Sequence, residues 1–321
     1  MEKFKTKREM TLHAYTLSKH NGEGPHDSDI ENLTEILSQC LSSLRTTRQR
    51  IEYIYDKDKE NPKASRVIAH QRKDDDALFG SFYSFNNADL NFFLEEEALD
   101  QEGFTQKDIK KEETSTQRFG YKNDFYFFLM GGRLITTSRN FQNLEGYINY
   151  LLSGTSFDDK LSMIRTVKKP SDYDFSDIRE LVFYEWVNSD IQSELVAKPK
   201  TPLKQLSQQL MKGVVDAMTF PGNSERVSYL QFKAFLTCEI EKPSCITDKE
   251  YSKQLGFALR FTEGMKGKVS FKTKNGQTID GQSVIEKKIV FIPANSETIS
   301  ETELLKEMRV YAKELQKGNK T

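Results

Sequence analysis

The spacing of apolar and polar residues predicts strands along most of the chain. In residues 10–18, Met10, Leu12 and Ala14 alternate with more polar neighbours, which turns one face of a strand toward a core. Similar alternation, or a dense apolar run, recurs in six further segments. These predicted strands span residues 51–55, 64–70, 78–85, 160–167, 181–187 and 227–240.

Apolar residues at helical spacing predict four helices. The first covers residues 28–45, where Leu33, Leu37 and Leu41 recur on one face after a candidate capping residue, Asp27 or Ser28. The other three cover residues 143–152, residues 201–218 and, after the N-cap candidate Ser300, residues 301–316.

Glycine-containing turns predict two hairpins. The apolar run 124–130 precedes Gly131-Gly132 and a return strand, and so dense a run is typical of a central strand covered on both faces. Residues 274–277, Lys-Asn-Gly-Gln, predict a second turn within two or three strands of 267–292.

These elements predict an α+β fold in which helices pack on mainly antiparallel sheets. Residues 197–204 contain two prolines, three lysines and no acid, a composition typical of a linker or joint. The length of 321 residues suggests two domains. We therefore expect an N-terminal α+β domain, 1–196, and a C-terminal α+β domain with a basic hairpin, 197–321.

Composition narrows the class of protein. Hydrophobic residues make up 36% of the chain and aromatic residues 11%, too many for a disordered chain. No run approaches the roughly 18 apolar residues of a membrane span, and the charged N-terminus lacks the apolar core of a secretory signal. The cysteines, Cys40, Cys238 and Cys245, are odd in number and favour a reducing compartment. We expect a cytoplasmic protein.

No motif for catalysis, cofactor or metal binding emerges, and we expect neither a cofactor nor a bound metal. His13 and His70 lie in predicted strands, where packed histidines are usual, although folding could pair them. The acidic runs 74–76 and 95–97, with Glu286 before two lysines, leave a divergent metal-dependent nuclease open. In a chain with 30% charged residues, solvated loops are the commoner role of such runs.

Basic residues are more informative in their placement. Lysines alternate along residues 266–274, and a strand there would put Lys268, Lys272 and Lys274 on one face, a ridge suited to phosphates. The alternative is an edge strand that its lysines protect from aggregation. The candidate nucleic-acid-binding residues are Lys198, Lys200, Lys204, Lys266, Lys268, Lys272, Lys274, Arg133 and Arg139.

The order of the elements along the chain carries a further signal. An early strand and helix come first, and the strand 125–130 then meets Gly131 and the Arg-containing strand 133–139. A helix over 144–152 follows, and residues 298–308 lead into a Tyr-bearing final helix. This layout resembles that of RexA-like phage-exclusion and prophage defence proteins, and the similarity extends loosely over most of the chain.

The resemblance implies a dimeric cytoplasmic protein that binds DNA without marked sequence preference and acts in phage exclusion. It also implies a membrane-protein partner encoded nearby, and it implies no enzymatic activity. The alternatives are the metal-dependent nuclease and a protein-interaction subunit of a multi-gene defence system.

Overall fold

The computed structural model describes most of the predicted elements. The described residues are 4, 6–20, 25–26, 30, 32–55, 62–85, 96–105, 121–139, 141–155, 157, 160–168, 177–187, 232–239, 242, 244–245, 247–248, 251–252, 255, 259, 268–295 and 298–318. The predicted linker 197–204, the predicted helix 201–218 and Lys266 lie outside them.

Thirteen strands and five helices can be given bounds within the described residues. The strands are β1 (Thr6–His20), β2 (Pro25–His26), β3 (Glu52–Tyr55), β4 (Pro62–Asp74), β5 (Ala77–Phe85), β6 (Tyr121–Met130), β7 (Arg133–Thr136), β8 (Lys160–Arg165), β9 (Ile178–Val187), β10 (Phe232–Glu239), β11 (Lys268–Thr273), β12 (Thr278–Asp280) and β13 (Lys287–Ala294). The helices are α1 (Leu33–Ser43), α2 (Thr47–Arg50), α3 (Glu96–Leu99), α4 (Gln142–Leu152) and α5 (Glu301–Gly318).

The chain groups into two compact units. The first unit contains Met1–Thr166 and Glu286–Thr321, and the second contains Val167–Ile285. Residues 286–321, which the sequence assigned to the C-terminal domain, thus belong with the first unit, because β13 pairs with β1. The domain boundary drawn at 196/197 falls outside the described residues, and the domains drawn there stay a prediction.

The first unit is built on an antiparallel sheet in the order β13-β1-β7-β6-β5-β4-β3, with β2 and β8 also paired to β1. Helices α1 and α4 cover one face, which we call the α1 face, and α5 covers the other, the α5 face. Along β6, Phe125, Phe127 and Leu129 join the α1-face core, whereas Phe128 and Met130 join the α5-face core. The central strand covered on both faces is therefore confirmed, as is the α+β fold.

The predicted turns and helices are largely confirmed. Gly131 and Gly132 have φ of 54° and 72°, and Gly276 has φ of 77°, values that favour glycine in tight turns. The Ser300 hydroxyl accepts a 3.4 Å hydrogen bond from the Glu303 N–H and caps α5. Both caps proposed for the first helix, Asp27 and Ser28, lie outside the described residues, and α1 begins at Leu33.

The short helix α2 was not among the elements predicted from the sequence. Thr46 and Gln49 form a reciprocal capping box, with the Gln49 N–H 3.3 Å from Thr46 Oγ1 and the Thr46 N–H 3.2 Å from Gln49 Oε1. The spacing T-x-x-Q is the signal that could have revealed it.

The second unit contains a four-stranded antiparallel sheet in the order β10-β9-β11-β12. Its described core surrounds the fully buried Phe271, with Leu181 from β9 and Leu255 among its members. In the part of the chain that the structure describes, no helix has both the length and the apolar character needed to cross a membrane.

Candidate phosphate-binding site

Two rows of side chains cross β1 on the α1 face of the first unit. In one row, His13 lies directly opposite Lys287 of β13 and Thr136 of β7. In the next, Tyr15 lies opposite Arg165 of β8. Residues directly opposite each other in antiparallel strands share a face, so these side chains are neighbours.

The loop after β7 brings Arg139 to the same place. Its backbone carbonyl accepts hydrogen bonds from the Tyr15 hydroxyl and from Arg165 Nη2, both at 3.3 Å. The Arg165 guanidinium also lies over the Tyr15 ring, 4.9 Å from its centroid, and the Phe141 ring packs 4.7 Å from the same ring. We call His13, Tyr15, Arg139, Arg165 and Lys287 the His13 cluster.

The charges of the His13 cluster are all positive. His13 is only 4% exposed, and its Nδ1 has no hydrogen-bond partner. Burial, together with the nearby charges of Arg165, Arg139 and Lys287, lowers the pKa of His13 to about 3. The imidazole is therefore neutral near pH 7, with three cations around it.

The three cations differ in exposure. Arg165 is buried, whereas Arg139 and Lys287 are exposed. Among the described residues neither Arg139 nor Lys287 forms an ion pair. The next residue, Lys288, points to the other face and binds Glu314 at 3.0 Å. The cluster thus combines a fixed, buried guanidinium with two accessible charges, an arrangement that can receive an anion.

Arg133, a predicted nucleic-acid-binding residue, lies away from this cluster. Side chains alternate between the two faces along β7. Leu134 lies in the α1-face core, so its neighbours Arg133 and Ile135 point to the α5 face. There it is half-buried near Tyr311, and burial lowers its pKa.

The predicted lysine ridge is interrupted in the second unit. β11 ends at Thr273 after a register shift between Lys272 and Thr273, so the alternation assumed for the ridge does not continue to Lys274. Lys272 binds Glu180 at 3.1 Å, and the exposed Lys274 follows the strand. Lys268 begins β11 opposite Tyr184. Lys198, Lys200 and Lys204 lie outside the described residues.

Acidic and histidine side chains that were candidates for a metal or catalytic site form ion pairs and packing contacts within the fold. Asp74 and Asp75 bind Arg309 of α5, at 2.6 and 3.3 Å. His70 packs edge-on against Phe79 of the α5-face core, on the face opposite to His13. The possible His13–His70 pair therefore does not form. Within the described residues no three His, Cys, Asp or Glu side chains are grouped so that they could hold a metal.

Sequence reasoning identified Arg139 but missed Arg165 and Lys287. Neither carries a local signal, because a chain with 30% charged residues places many cations in predicted strands. Only the pairing of β1 with both β8 and β13 brings them together.

No known protein family matches the chain, and no curated protein matches it.

Proposed function

We propose that this chain binds the phosphate backbone of nucleic acid and that the His13 cluster receives a phosphate group. The observation that carries the proposal is the convergence of Arg139, Arg165 and Lys287 on a buried, uncharged imidazole. A phosphate oxygen near these groups would accept hydrogen bonds from guanidinium and ammonium donors, which are the usual phosphate ligands of proteins.

The environment of Arg165 supports the same ligand. The Tyr15 ring and the Arg139 carbonyl hold its guanidinium in one orientation. An oriented guanidinium loses less conformational entropy when it binds an oxyanion than a solvated one. Lys287 and Arg139 add accessible charge at the rim, where a backbone could approach.

Binding through phosphates is expected to be insensitive to base sequence, since phosphate contacts position a nucleic acid and carry no sequence information directly. The expected partner is therefore a nucleic acid bound without sequence preference, and DNA in particular is what the RexA-like resemblance implies. The setting in a cytoplasmic phage-exclusion system with a membrane partner rests on the RexA-like resemblance alone.

Substitution of the two exposed cations tests the proposal. We expect the double variant Arg139→Gln, Lys287→Gln to lose about tenfold to hundredfold in affinity for any oligonucleotide at low salt, because each change removes a charge-assisted contact. Fluorescence anisotropy with two unrelated DNA sequences measures the loss. Lys313→Gln, an exposed lysine of α5, is the matched control.

Unchanged affinity in the double variant, or an equal loss in the control, would refute the assignment. A parallel plaque assay tests the setting: if the chain acts in phage exclusion through DNA, the double variant also loses exclusion while the control retains it.

A further inference from the structure

Between Lys287 and Phe291, the outer edge of β13 carries backbone groups that no described residue occupies. The strand ends the sheet, and alternate residues point their N–H and C=O groups toward β1 or away from it. The 2.7 Å hydrogen bond from the Ser300 N–H to the Pro293 carbonyl shows that Pro293 faces outward. By alternation, Lys287, Ile289 and Phe291 face outward too.

One end of this edge is closed. Pro293 has no N–H, its carbonyl is taken by Ser300, and Ala294 forms a bridge with Ile299. Proline at an outward position is a common way to end pairing along an edge strand. The open edge is therefore a short stretch, Lys287–Phe291, with three outward residues.

Two of the three outward residues carry exposed apolar side chains. Ile289 is 55% exposed and Phe291 is 59% exposed, both on the face that carries Lys287. An edge strand that combines free backbone groups with exposed apolar side chains is a template for pairing with another strand.

We propose that a second copy of this chain pairs antiparallel with β13 about a two-fold axis at Ile289. In this register Ile289 lies opposite the partner subunit's Ile289, and Lys287 lies opposite the partner subunit's Phe291. The proposal does not rest on nucleic-acid binding, but the two share Lys287, which belongs to the His13 cluster and would lie against the partner subunit's Phe291 in the dimer.

Self-complementarity selects this partner and this register. All three outward residues form doubly hydrogen-bonded pairs only when the axis passes through Ile289, since a shift toward Pro293 brings in a residue without an N–H. The same register places an ammonium against an aromatic ring twice, a favourable cation–π pair, and two isoleucines against each other. It brings no like charges directly opposite.

The opposite edge of the sheet is a poorer match. β3 also exposes large side chains, Tyr53 and Tyr55 at 41% and 57%. Pairing of β13 with β3 of another copy would be heterologous and would continue into an open chain of subunits, whereas β13 with β13 closes as a dimer.

Sedimentation of the full chain and two variants tests the dimer. Ile289→Pro removes the central outward N–H while leaving the bonds to β1 in place, so we expect the variant to be monomeric at concentrations where the native chain is a dimer. Tyr55→Lys, on the opposite edge, is expected to remain dimeric. Circular dichroism and thermal melts establish that each variant is folded.

A crosslink gives a second readout that does not depend on a disruptive substitution. In a Cys245→Ser background, which removes the one thiol that is exposed among the cysteine side chains the structure describes, Ile289→Cys should form a covalent dimer on oxidation because cross-strand Cα atoms about 5.5 Å apart are within disulfide reach. Tyr55→Cys in the same background should stay monomeric.

Three outcomes would overturn the proposal. The first is that the native chain is monomeric at every concentration. The second is that the dimer persists in Ile289→Pro and that Ile289→Cys forms no crosslink. The third is that the native chain forms polymers, which Tyr55→Lys abolishes. If the native chain is monomeric and Phe291→Ala weakens single-stranded DNA binding, the apolar pair belongs to base stacking instead.

Discussion

At the scale of single residues, His13 occupies a position that packing alone does not require. The His13 imidazole is buried beside three cations, and its Nδ1 has no hydrogen-bond partner. Burying such a polar group lowers the free energy of unfolding relative to an apolar side chain of similar size. Residues whose surroundings disfavour folding often serve a ligand, and a bound phosphate would compensate the positive charge around His13.

The low pKa of His13 predicts an acid-sensitive contribution to stability. Its ordinary pKa of 6.5 applies to the unfolded chain, and its folded pKa is about 3, so the unfolded state binds more protons between these values. The free energy of unfolding should therefore fall as pH decreases from 6.5 toward 3.

Urea titrations at several pH values check this, with His13→Asn as the comparison. We expect the native chain to lose more stability than the variant between pH 6.5 and 4. Parallel curves for the two proteins would show that His13 titrates normally.

At the scale of elements, α5 supplies the helical side of one core. Leu304 and Met308 are fully buried against the α5 face of the sheet, and Arg309 ties the helix to Asp74 and Asp75. The helix thus stabilises the same sheet that carries the His13 cluster on its other face.

Truncation of Leu304 to alanine should lower the free energy of unfolding by about 2–5 kcal/mol, because it leaves a cavity against the sheet. Val310→Ala, on the exposed side of the same helix, should change it by less than about 0.5 kcal/mol. Chemical denaturation of both variants measures the difference. Equal losses would mean that α5 does not pack on the sheet through Leu304.

Sequence patterns predicted the elements better than their assembly. The apolar run of β6 and the periodicity of α4 and α5 are local signals, and each element forms close to its predicted bounds. The pairing of β13 with β1 joins the two ends of the chain, and no local pattern encodes it. For the same reason the sequence indicated Arg139 but not its neighbours Arg165 and Lys287.

At the scale of the whole molecule, the first unit is built from two separated segments. The Glu286 N–H binds the Thr166 carbonyl at 2.8 Å, so the chain leaves and re-enters this unit at adjacent points. The second unit is thus inserted in the sequence of the first, a common arrangement for domains whose termini lie close together.

A shortened chain in which a brief Gly-Ser linker joins Thr166 to Glu286 should therefore fold cooperatively. The fragment 1–196 should not, because it lacks β13 and α5 and exposes the α5-face core. Circular dichroism melts distinguish the two. Cooperative folding of 1–196 would instead support the boundary predicted from sequence.

The salt dependence of DNA binding tests the central claim most directly. If Arg165 contacts one phosphate and the rim cations Arg139 and Lys287 contact its neighbours along the backbone, the slope of log K against log salt should be roughly −3, since each phosphate neutralised on duplex DNA contributes about −0.9. The variant Arg139→Gln, Lys287→Gln should flatten the slope by nearly 2, and Lys313→Gln should leave it unchanged. A slope that is the same in the native chain and the double variant would contradict phosphate binding at this site.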